Sequence, residues 1–255
     1  MAMIASERLE KITETVERKG FVSTRELARE FQVTEVTIRK DLNELDRQKK
    51  VLKVHGGAKS RQKKQTLTTE METWMSERTN VHARQKEALC AYAADLVSDG
   101  DCIFVDGGTT LIPFLKFLRN KRVKIVTHNQ MLIGQFQREY GELIILGGYY
   151  LPFYGMSAGP MTIEQLSKFN FDYAFISCAG VDIALNKAYT AEMDTAEIKK
   201  NAMKLAQKSY LLVDSSKLKV RGFYSCADLS DFDAVIVSGE EITQELPDHF
   251  VMLKD

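Results

Sequence analysis

Cysteine is scarce in this chain of 255 residues, which contains four. Cys90, Cys102, Cys178 and Cys226 lie far apart in the sequence, and no two of them have the CxxC spacing of a zinc or redox site. A disulfide or zinc framework is therefore not expected, and the pattern fits a reducing compartment. We expect the four thiols to be buried spectators.

Long apolar runs are missing from the amino terminus, where MAMIASERLEK is charged early. A signal peptide or a membrane span needs a longer apolar segment, so we expect a cytoplasmic protein without a membrane partner. The sequence also lacks a GxxxxGK(S/T) phosphate loop, which argues against nucleotide-driven work. Its four histidines are scattered, so neither a metal site nor a cofactor is expected.

The net charge is zero, but the charge is unevenly distributed. Residues 1–64 contain 16 Lys and Arg against 10 Asp and Glu, whereas the remaining 191 residues contain 19 against 25. The composition, 44% hydrophobic and 27% charged, is typical of a globular protein with room for one core and a small second domain. A basic head on an acidic body suits a DNA-binding module joined to a small-molecule domain.

The first capped helix is predicted from the stretch STRELAREF. Ser23 offers a side-chain oxygen to the start of a helix, and Glu26 follows three residues later, as in a capping box. Leu27 and Phe31 would lie on the buried face of this helix, which we expect to start near Thr24.

A second helix is predicted over residues 35–48, with Thr34 as its capping residue. Ile38, Leu42 and Leu45 recur at spacings of four and three and would form its buried face. The opposite face is polar. Its first turn is the part of a recognition helix that normally meets base edges.

A short β-hairpin is predicted directly after the second helix. Residues 51–54 alternate like a strand, and Gly56 and Gly57 permit the positive φ of a tight turn. Two capped helices followed by a basic hairpin are typical of a winged helix-turn-helix that binds DNA; a small helical adaptor with a solvated basic face is the alternative. The residues predicted to contact DNA are Ser23, Thr24, Thr34, Val36, Thr37, Arg39, Lys40, Asn43, Lys53, His55 and Gly56.

Apolar residues at helical spacing predict a supporting helix over residues 6–19, which would end at Gly20. Residues 59–65 are polar and cationic and are predicted to form a linker. After them, Met71, Trp74 and Met75 occur at helical spacing. This segment would either dock on the body of the protein or pair with a second subunit, and docking is favoured.

From residue 84 onward, short apolar runs alternate with helical patterns. This order is typical of βαβ units, so we expect an α/β domain with a mostly parallel sheet joined to the winged helix-turn-helix. The predicted strands cover residues 102–105, 123–127, 143–146, 173–178, 210–213 and 234–237. The predicted helices cover residues 87–97, 110–118 and 193–208.

Ligands of such sheets bind at the carboxyl ends of the strands, where four loops have suitable residues. In the first loop, from Asp106 to Thr110, glycines would let backbone N–H groups approach an anion and hydroxyls would donate to it at a helix start. This suits a phosphate, although an ordinary strand-to-helix turn is the alternative. The other loops are Thr127-His128-Asn129, Gly147-Gly148 and Asp214-Ser215-Ser216-Lys217, whose lysine could pair with the same anion.

The stretch VSTRELAREFQVTEVTIRKDLNEL followed by VLKVHGGA resembles the winged helix-turn-helix of the DeoR family of bacterial transcriptional regulators. Lys40 and Lys53 stand where that family usually has arginine. The motifs VDGGTT, VTHN, LGG, AGVD, AEIKKNAM and VDSSK resemble the family's sugar-phosphate-sensing domain, which is similar in fold to ribose-5-phosphate isomerase. The resemblance spans nearly the whole chain.

The resemblance implies a repressor of carbohydrate metabolism genes that is controlled by a phosphorylated sugar or related metabolite. It adds Lys199 to the effector site by position, whereas His128 stands where the family usually has asparagine. The expected effector-binding residues are Asp106, Gly107, Gly108, Thr109, Thr110, His128, Asn129, Gly147, Gly148, Lys199, Asp214 and Lys217.

The expected organisation is a DNA-binding domain over residues 1–58, a linker and connecting helix over 59–82, and an effector domain over 83–255. One recognition helix covers only a few base pairs, so we expect a homo-oligomer on double-stranded operator DNA. The alternative function is a sugar-phosphate isomerase with an accessory DNA-binding head, in which Asp106, Asp214 and Lys217 would supply acid, base and electrophile. A regulator gains nothing from turnover of its signal, so no catalysis is expected.

Overall fold

The computed structural model describes residues 4–60, 66–69, 72, 74–137, 141–218, 220–239 and 246–253. The chain divides into two compact units, Met1–Gln65 and Thr66–Asp255. This division differs from the predicted boundaries at residues 58 and 82, because residues from Thr66 onward group with the second unit. No helix in the described ranges is long and apolar enough to cross a membrane.

The first unit has three helices and a three-stranded antiparallel sheet. Its elements are α1 (Ala5–Lys19), β1 (Phe21–Ser23), α2 (Thr24–Glu30), α3 (Glu35–Arg47), β2 (Val51–Val54) and β3 (Gly57–Ser60). The helix-turn-helix and its wing are therefore as predicted, and β1 is an additional strand that pairs with β3. Lys59 and Ser60 belong to β3 and not to a linker, and the remaining predicted linker, 61–65, lies outside the described residues.

Local hydrogen bonds explain where these helices begin and end. Gly20 ends α1 at φ 74°, and its N–H donates to Val16 O. Ser23 Oγ accepts the N–H of Glu26 at 3.1 Å at the start of α2. The three helices and the wing share one small apolar core, formed by Ile12, Val16, Val22, Leu27, Ile38, Leu42, Leu45, Val51 and Ala58.

The second unit is built on a parallel sheet with helices and two smaller sheets around it. Its helices are α4 (Met75–Arg78), α5 (Ala83–Asp95), α6 (Phe114–Phe117), α7 (Pro160–Leu166) and α8 (Met193–Lys204). Its strands are β4 (Cys102–Val105), β5 (Val123–Thr127), β6 (Gly141–Ile145), β7 (Tyr149–Leu151), β8 (Met156–Ala158), β9 (Phe171–Ser177), β10 (Gly180–Asp182), β11 (Lys187–Thr190), β12 (Ala206–Asp214), β13 (Tyr224–Asp228), β14 (Ala234–Ser238) and β15 (Phe250–Leu253).

Seven strands form the main sheet in the order β15-β14-β12-β9-β4-β5-β6, and every described pair is parallel. The chain runs outward from β4 through β5 to β6 and then returns to β9 on the other side of β4. The strand order therefore reverses between β4 and β9. A crevice opens at such a reversal, outside the carboxyl ends of the strands.

Both faces of this sheet are covered by apolar side chains, as expected of parallel strands. Phe104 belongs to one buried cluster, whereas its neighbours Ile103 and Val105 belong to the other. Consecutive residues of β4 therefore point to opposite faces of the sheet. This burial on both sides fixes the strand ends from which the polar loops leave.

Three expectations need correction. The helix predicted over 110–118 is a 3-10 turn, Thr109–Leu111, followed by the short α6; Pro113 lies between them, and because proline has no N–H it cannot continue a helix. The helix predicted over 193–208 ends at Lys204, because β12 begins at Ala206, opposite Phe171 of β9. The antiparallel sheets β7-β8 and β10-β11-β13, and the edge strand β15, were not predicted.

The segment around Trp74 docks on the second unit, as favoured from the sequence. Met75 is 2% exposed and packs with Ile112, Tyr154 and Met156. Met71, the third residue of the predicted stripe, lies outside the described residues. Trp74 itself is 52% exposed, and its ring centroid lies 5.2 Å from that of Phe153.

Candidate functional site

The recognition helix α3 is fixed to α1 by a partly buried ion pair. Arg8 donates from Nε to Asp41 Oδ2 at 2.7 Å and from Nη2 to Oδ1 at 3.1 Å. A hydrogen bond from Arg8 to Asp41 raises the pKa of the arginine, and this fork also fixes the orientation of both side chains. Asp41 lies on the inner side of α3, so the opposite side is left for a ligand.

The outer side of α3 carries most of the predicted DNA contacts. Val36 is 61% exposed, and Arg39 and Lys40 are also exposed. Thr34 Oγ1 accepts the N–H of Thr37 at 3.2 Å and lies 3.0 Å from Thr37 Oγ1, which caps the helix. The first turn therefore presents an apolar side chain and two hydroxyls, and the next turn presents two cations.

The wing carries the remaining predicted contacts. Lys53 donates to Asn43 Oδ1 at 2.5 Å, so the strand β2 and the helix α3 present a joint polar surface. His55 and Gly56 are exposed at the tip, where Gly56 has φ 79°. A positive φ favours glycine at this turn.

Two of the residues predicted to contact DNA make structural contacts within the first unit. Thr24 is 6% exposed, and its N–H donates to Gly56 O at 2.8 Å. Its side chain is therefore not available to DNA, and Thr24 is better assigned to the packing of α2 against the wing. Ser23 is half-buried, and its hydroxyl is used as the cap of α2.

The second unit contains a cavity of about 310 Å³ at the carboxyl ends of β4, β9 and β12. The predicted effector residues that line it are Gly108, Thr109, Lys199, Asp214 and Lys217. Ser216, from the fourth predicted loop, also lines it. Further lining residues with polar side chains, none of them predicted, are Glu72, Arg78, His82, Lys86, Tyr154, Ser177, Thr190, Glu192 and Thr195. We call this space the effector cavity.

Asp106 lies just behind the effector cavity and is fully buried. Its Oδ2 accepts hydrogen bonds from Lys199 Nζ at 2.5 Å, from Ser177 Oγ at 2.6 Å and from Ser177 N at 3.0 Å. Burial alone would raise the pKa of Asp106, but the Lys199 ammonium holds this pKa well below its ordinary value. Asp106 is therefore an ionised anchor that joins β4, β9 and α8 at the strand reversal.

The loop after β5 contacts the loop from Asp106 to Thr110, which we call the glycine loop. The N–H of Gly107 donates to His128 Nε2 at 3.0 Å, so the imidazole proton is on Nδ1, which donates to Ser157 O at 2.9 Å. Gly107 therefore cannot offer its N–H to an anion. Asn129 likewise turns inward, where its Oδ1 accepts the N–H of Met131 at 3.0 Å.

Close packing explains why Gly108 is glycine. A Cβ at Gly108 would lie 1.9 Å from Ser177 Oγ, although the φ of this residue, −71°, is ordinary. The glycine loop is thus held against β9, which places Thr109 at the cavity wall. From the sequence, the two glycines were predicted to let an anion come close to the backbone. In the structure, they let the glycine loop pack closely against Ser177 and His128.

Lys217 also lines the effector cavity, from the turn after β12. Its Nζ donates to Thr110 Oγ1 at 3.0 Å and lies 3.4 Å from Asp214 Oδ2. Burial alone would raise the pKa of Asp214, but Lys217 and the Ser216 hydroxyl hold it below its ordinary value. Lys217 thus joins the two loops that were predicted to share an anion.

Lys86 is a buried cation that the sequence analysis did not include. It is 3% exposed, and its Nζ donates to Arg78 O at 2.5 Å, to Thr109 Oγ1 at 3.1 Å and to Thr79 O at 3.4 Å. No salt bridge joins it to any carboxylate in the described part of the chain. Burial lowers the pKa of Lys86 to about 8, and the charge of Lys217 adds to the effect.

A second group of polar residues also escaped prediction. Arg78 pairs with Glu72 at 2.8 Å, and the Tyr154 hydroxyl donates to the other oxygen of Glu72 at 2.7 Å. Burial raises the pKa of Tyr154, and the hydrogen bond to Glu72 and the charges of Glu72 and Glu192 raise it further. The one signal available in the sequence was the spacing of four that separates Arg78, His82 and Lys86.

The remaining predicted effector residues do not line the cavity. Thr110 is buried, and its hydroxyl accepts a hydrogen bond from Lys217, which does line the cavity. Gly147 and Gly148 pack against α7, where the N–H of Gly147 donates to Gln165 Oε1 at 2.9 Å. Their part in effector binding stays a prediction.

Comparisons with known proteins cover both units. Residues 8–64 match the DeoR-like helix-turn-helix domain, and residues 81–239 match the DeoR C terminal sensor domain. The lactose phosphotransferase system repressor of Staphylococcus epidermidis is 30% identical over 246 residues, which cover 94% of each chain. The glycerol-3-phosphate regulon repressor of Escherichia coli is 29% identical, and the match covers 99% of each chain.

Among solved structures, ribose 5-phosphate isomerase A from Methanocaldococcus jannaschii has a TM-score of 0.40 at 18% identity. The match covers 53% of this chain and 54% of the isomerase. A score of this size carries no argument about function.

A winged helix-turn-helix unit, followed by an α/β unit with a polar cavity at the strand reversal, defines a DNA-binding transcriptional regulator that responds to a small ligand. The matches to both domains show that the chain belongs to the DeoR family. The family and the main function expected from the sequence are thereby confirmed.

Proposed function

We propose that this chain is a repressor of carbohydrate metabolism genes whose affinity for operator DNA is set by a singly phosphorylated sugar in the effector cavity. The observation that carries the proposal is the Lys86 ammonium, which is buried and has no carboxylate partner among the described residues. A buried ammonium whose hydrogen-bond partners are all neutral still loses much of its hydration energy, and a bound anion would offset that cost. The names of two relatives, which refer to lactose and to glycerol 3-phosphate, support this class of genes.

The surroundings of Lys86 suit a phosphate group. Lys86 and Lys217 both line the cavity and donate to the hydroxyls of the adjacent residues Thr109 and Thr110. An anion bound beside these hydroxyls would receive charge-assisted hydrogen bonds from both ammonium groups. At the start of α8, Glu192 forms no described salt bridge, and Glu72 lies near it beside Tyr154. These carboxylates can accept hydrogen bonds from the hydroxyl groups of a sugar.

The charges favour one phosphate over two. Lys199, Lys217 and Arg78 already face Asp106, Asp214 and Glu72, respectively. Among the described cavity cations, Lys86 is the one left without a carboxylate. A second phosphate would meet Glu192 and no further unpaired cation, so we expect sugar bisphosphates to bind more weakly than monophosphates.

The same contacts support binding without catalysis. The isomerase alternative needs both Asp106 and Asp214, but Asp106 lies behind the wall and is held ionised by Lys199, and Asp214, which lines the cavity, is engaged by Lys217 and the Ser216 hydroxyl. A general acid or base must be within reach of the ligand proton that it transfers. On the DNA side, the exposed face of α3 and the wing would bind the operator, and two or more copies of the chain would be needed for a specific site.

The proposal is tested by measuring the binding of sugar monophosphates and of the same sugars without phosphate to the full chain. Each charge-assisted hydrogen bond contributes about 1.5–3 kcal/mol, and about 1.4 kcal/mol corresponds to tenfold in affinity. We therefore expect Lys217→Ala to weaken binding by roughly ten- to a hundredfold, as measured by calorimetry. Lys208, exposed at the other end of β12, provides the control Lys208→Ala, which should bind as the parent does.

Two results would contradict the proposal. One is a folded Lys217→Ala protein that binds sugar phosphates as tightly as the parent. The other is equal binding of a sugar with and without its phosphate.

A further inference from the structure

The described residues 66–69, 72 and 74–82 form a segment, which we call the connector, that follows the DNA-binding unit in the chain and contributes to the wall of the effector cavity. Its cavity-lining residues are Leu67, Glu72, Arg78, Val81 and His82. It is held on the second unit by a few backbone hydrogen bonds, such as those from Leu67 N to Arg221 O at 2.8 Å and from Met75 N to Phe153 O at 3.1 Å. A ligand in the cavity therefore touches the chain segment that leads to the DNA-binding unit.

Lys86 ties this connector to the glycine loop. Two of its bonds go to carbonyls at the carboxyl end of α4, Arg78 O and Thr79 O, and the third goes to Thr109 Oγ1. Cations are favourable at the carboxyl end of a helix, so these carbonyls supply the negative partial charge that Lys86 otherwise lacks. An ammonium has three N–H groups, and here all three have partners.

Between α4 and α5 the chain passes through His82, which has φ 55°. A residue other than glycine in this left-handed region carries backbone strain, which the surrounding contacts must offset. The connector is therefore a strained segment that is held down in part by one lysine.

We propose that Lys86 couples effector binding to the connector: a phosphate group beside Thr109 takes N–H groups of Lys86 and releases the carbonyls of Arg78 and Thr79. The bond to Thr79 O, the longest of the three, is the first to be lost. This inference rests on the proposed function, because it needs a phosphate in the cavity. Lys86 thus both binds the phosphate and holds the connector.

The loss of these carbonyl contacts should loosen the end of α4. The N–H of Thr79 donates to Met75 O at 3.1 Å, and the N–H of Val81 donates to Arg78 O at 3.2 Å. Both hydrogen bonds lie in the stretch that Lys86 holds, so their amides should exchange with solvent faster when the phosphate is bound. The exchange of these amides reports the connector separately from ligand affinity.

The experiment uses full-length parent, Lys86→Met and Lys217→Ala, titrated with inorganic phosphate at an ionic strength kept constant with chloride. Phosphate binding is followed by calorimetry, and hydrogen exchange is followed in peptides that cover residues 74–82. In the parent we expect saturation with phosphate to speed exchange of these peptides several-fold. Lys86→Met should exchange fast without phosphate and show no further change, whereas Lys217→Ala should bind more weakly but respond fully at saturation.

The outcomes separate the two proposals. If the parent binds neither phosphate nor a sugar phosphate, the proposed function fails and this inference fails with it. If the parent binds phosphate but Lys86→Met keeps slow exchange and the parent's response, the coupling alone is refuted. Melting curves show whether each variant is folded, and Lys86→Gln takes the place of Lys86→Met if the methionine variant is not.

Discussion

The ion pair between Asp106 and Lys199 predicts a large and specific loss of stability when its charge is removed. Asp106→Asn keeps the shape of the side chain, and its amide oxygen can still accept from Ser177, whereas the buried Lys199 loses its counter-ion. Removing one partner of a buried pair typically costs about 3–5 kcal/mol, because the other charge is left uncompensated. We therefore expect Asp106→Asn to lower the free energy of unfolding of the second unit by about that amount.

The assay is denaturant unfolding followed by the fluorescence of Trp74. This is the single tryptophan of the chain, and it belongs to the second unit, so its signal reports that unit. The double variant Asp106→Asn/Lys199→Met should lose less than the sum of the two single variants, by about 1–3 kcal/mol. Glu164→Gln is a control, because Glu164 pairs with Lys168 on the surface, where an ion pair contributes about 1 kcal/mol or less.

The difference in unfolding free energy between the parent and Asp106→Asn should change with pH in a definite direction. The pKa of Asp106 is lower in the folded protein than in the unfolded chain, so its stabilisation is fully present above the ordinary carboxyl pKa of about 3.9 and is lost as the pH falls below it. The gap between parent and Asp106→Asn should therefore be constant near neutral pH and shrink only in acid. A gap below about 1 kcal/mol, or one that already shrinks above about pH 5, would refute the assignment of Asp106 as an ionised anchor.

Two further predictions concern DNA and pH. Arg39→Ala and Lys40→Ala should weaken binding to all duplexes alike, and each should lower the magnitude of the slope of log affinity against log salt concentration by about one unit. Val36→Ala should mainly change which sequence is preferred. Fluorescence anisotropy against a panel of duplexes measures both effects, and a uniform loss of affinity in Val36→Ala would contradict the prediction. Phosphate affinity should fall as the pH rises through about 8, because a bound anion favours the protonated form of Lys86, whose pKa burial lowers to about 8. The other ionisable groups near Lys86 are Lys217, Asp214, Arg78 and Cys90, and a parallel titration of Lys86→Met, which should lack the effect, separates them.

Local sequence signals predicted the first unit well because its structure is set by nearby residues. The caps at Ser23 and Thr34 each bond a backbone N–H three residues later, so their spacing is visible in the sequence. Buried parallel strands such as β4 and β5 are also visible as short apolar runs. The edge strand β15 and the small antiparallel sheets depend on pairing with residues far away in the sequence, such as Phe250 with Val235. No local sequence pattern predicted them.

The same distinction explains which residues of the cavity were missed. Lys217 was predicted because it follows a strand directly, and the carboxyl ends of parallel strands converge. Lys86 lies one residue before the helix predicted over residues 87–97, at a position where a lysine ordinarily faces solvent. Its burial depends on the connector, which packs over it from residues 78 and 79, and on Thr109, 23 positions away. The environment of Lys86 is built from three segments that are separate in the sequence, so only the fold shows that this lysine is buried. It is this buried environment, and not the position of Lys86 in the sequence, that makes the lysine sensitive to a bound anion.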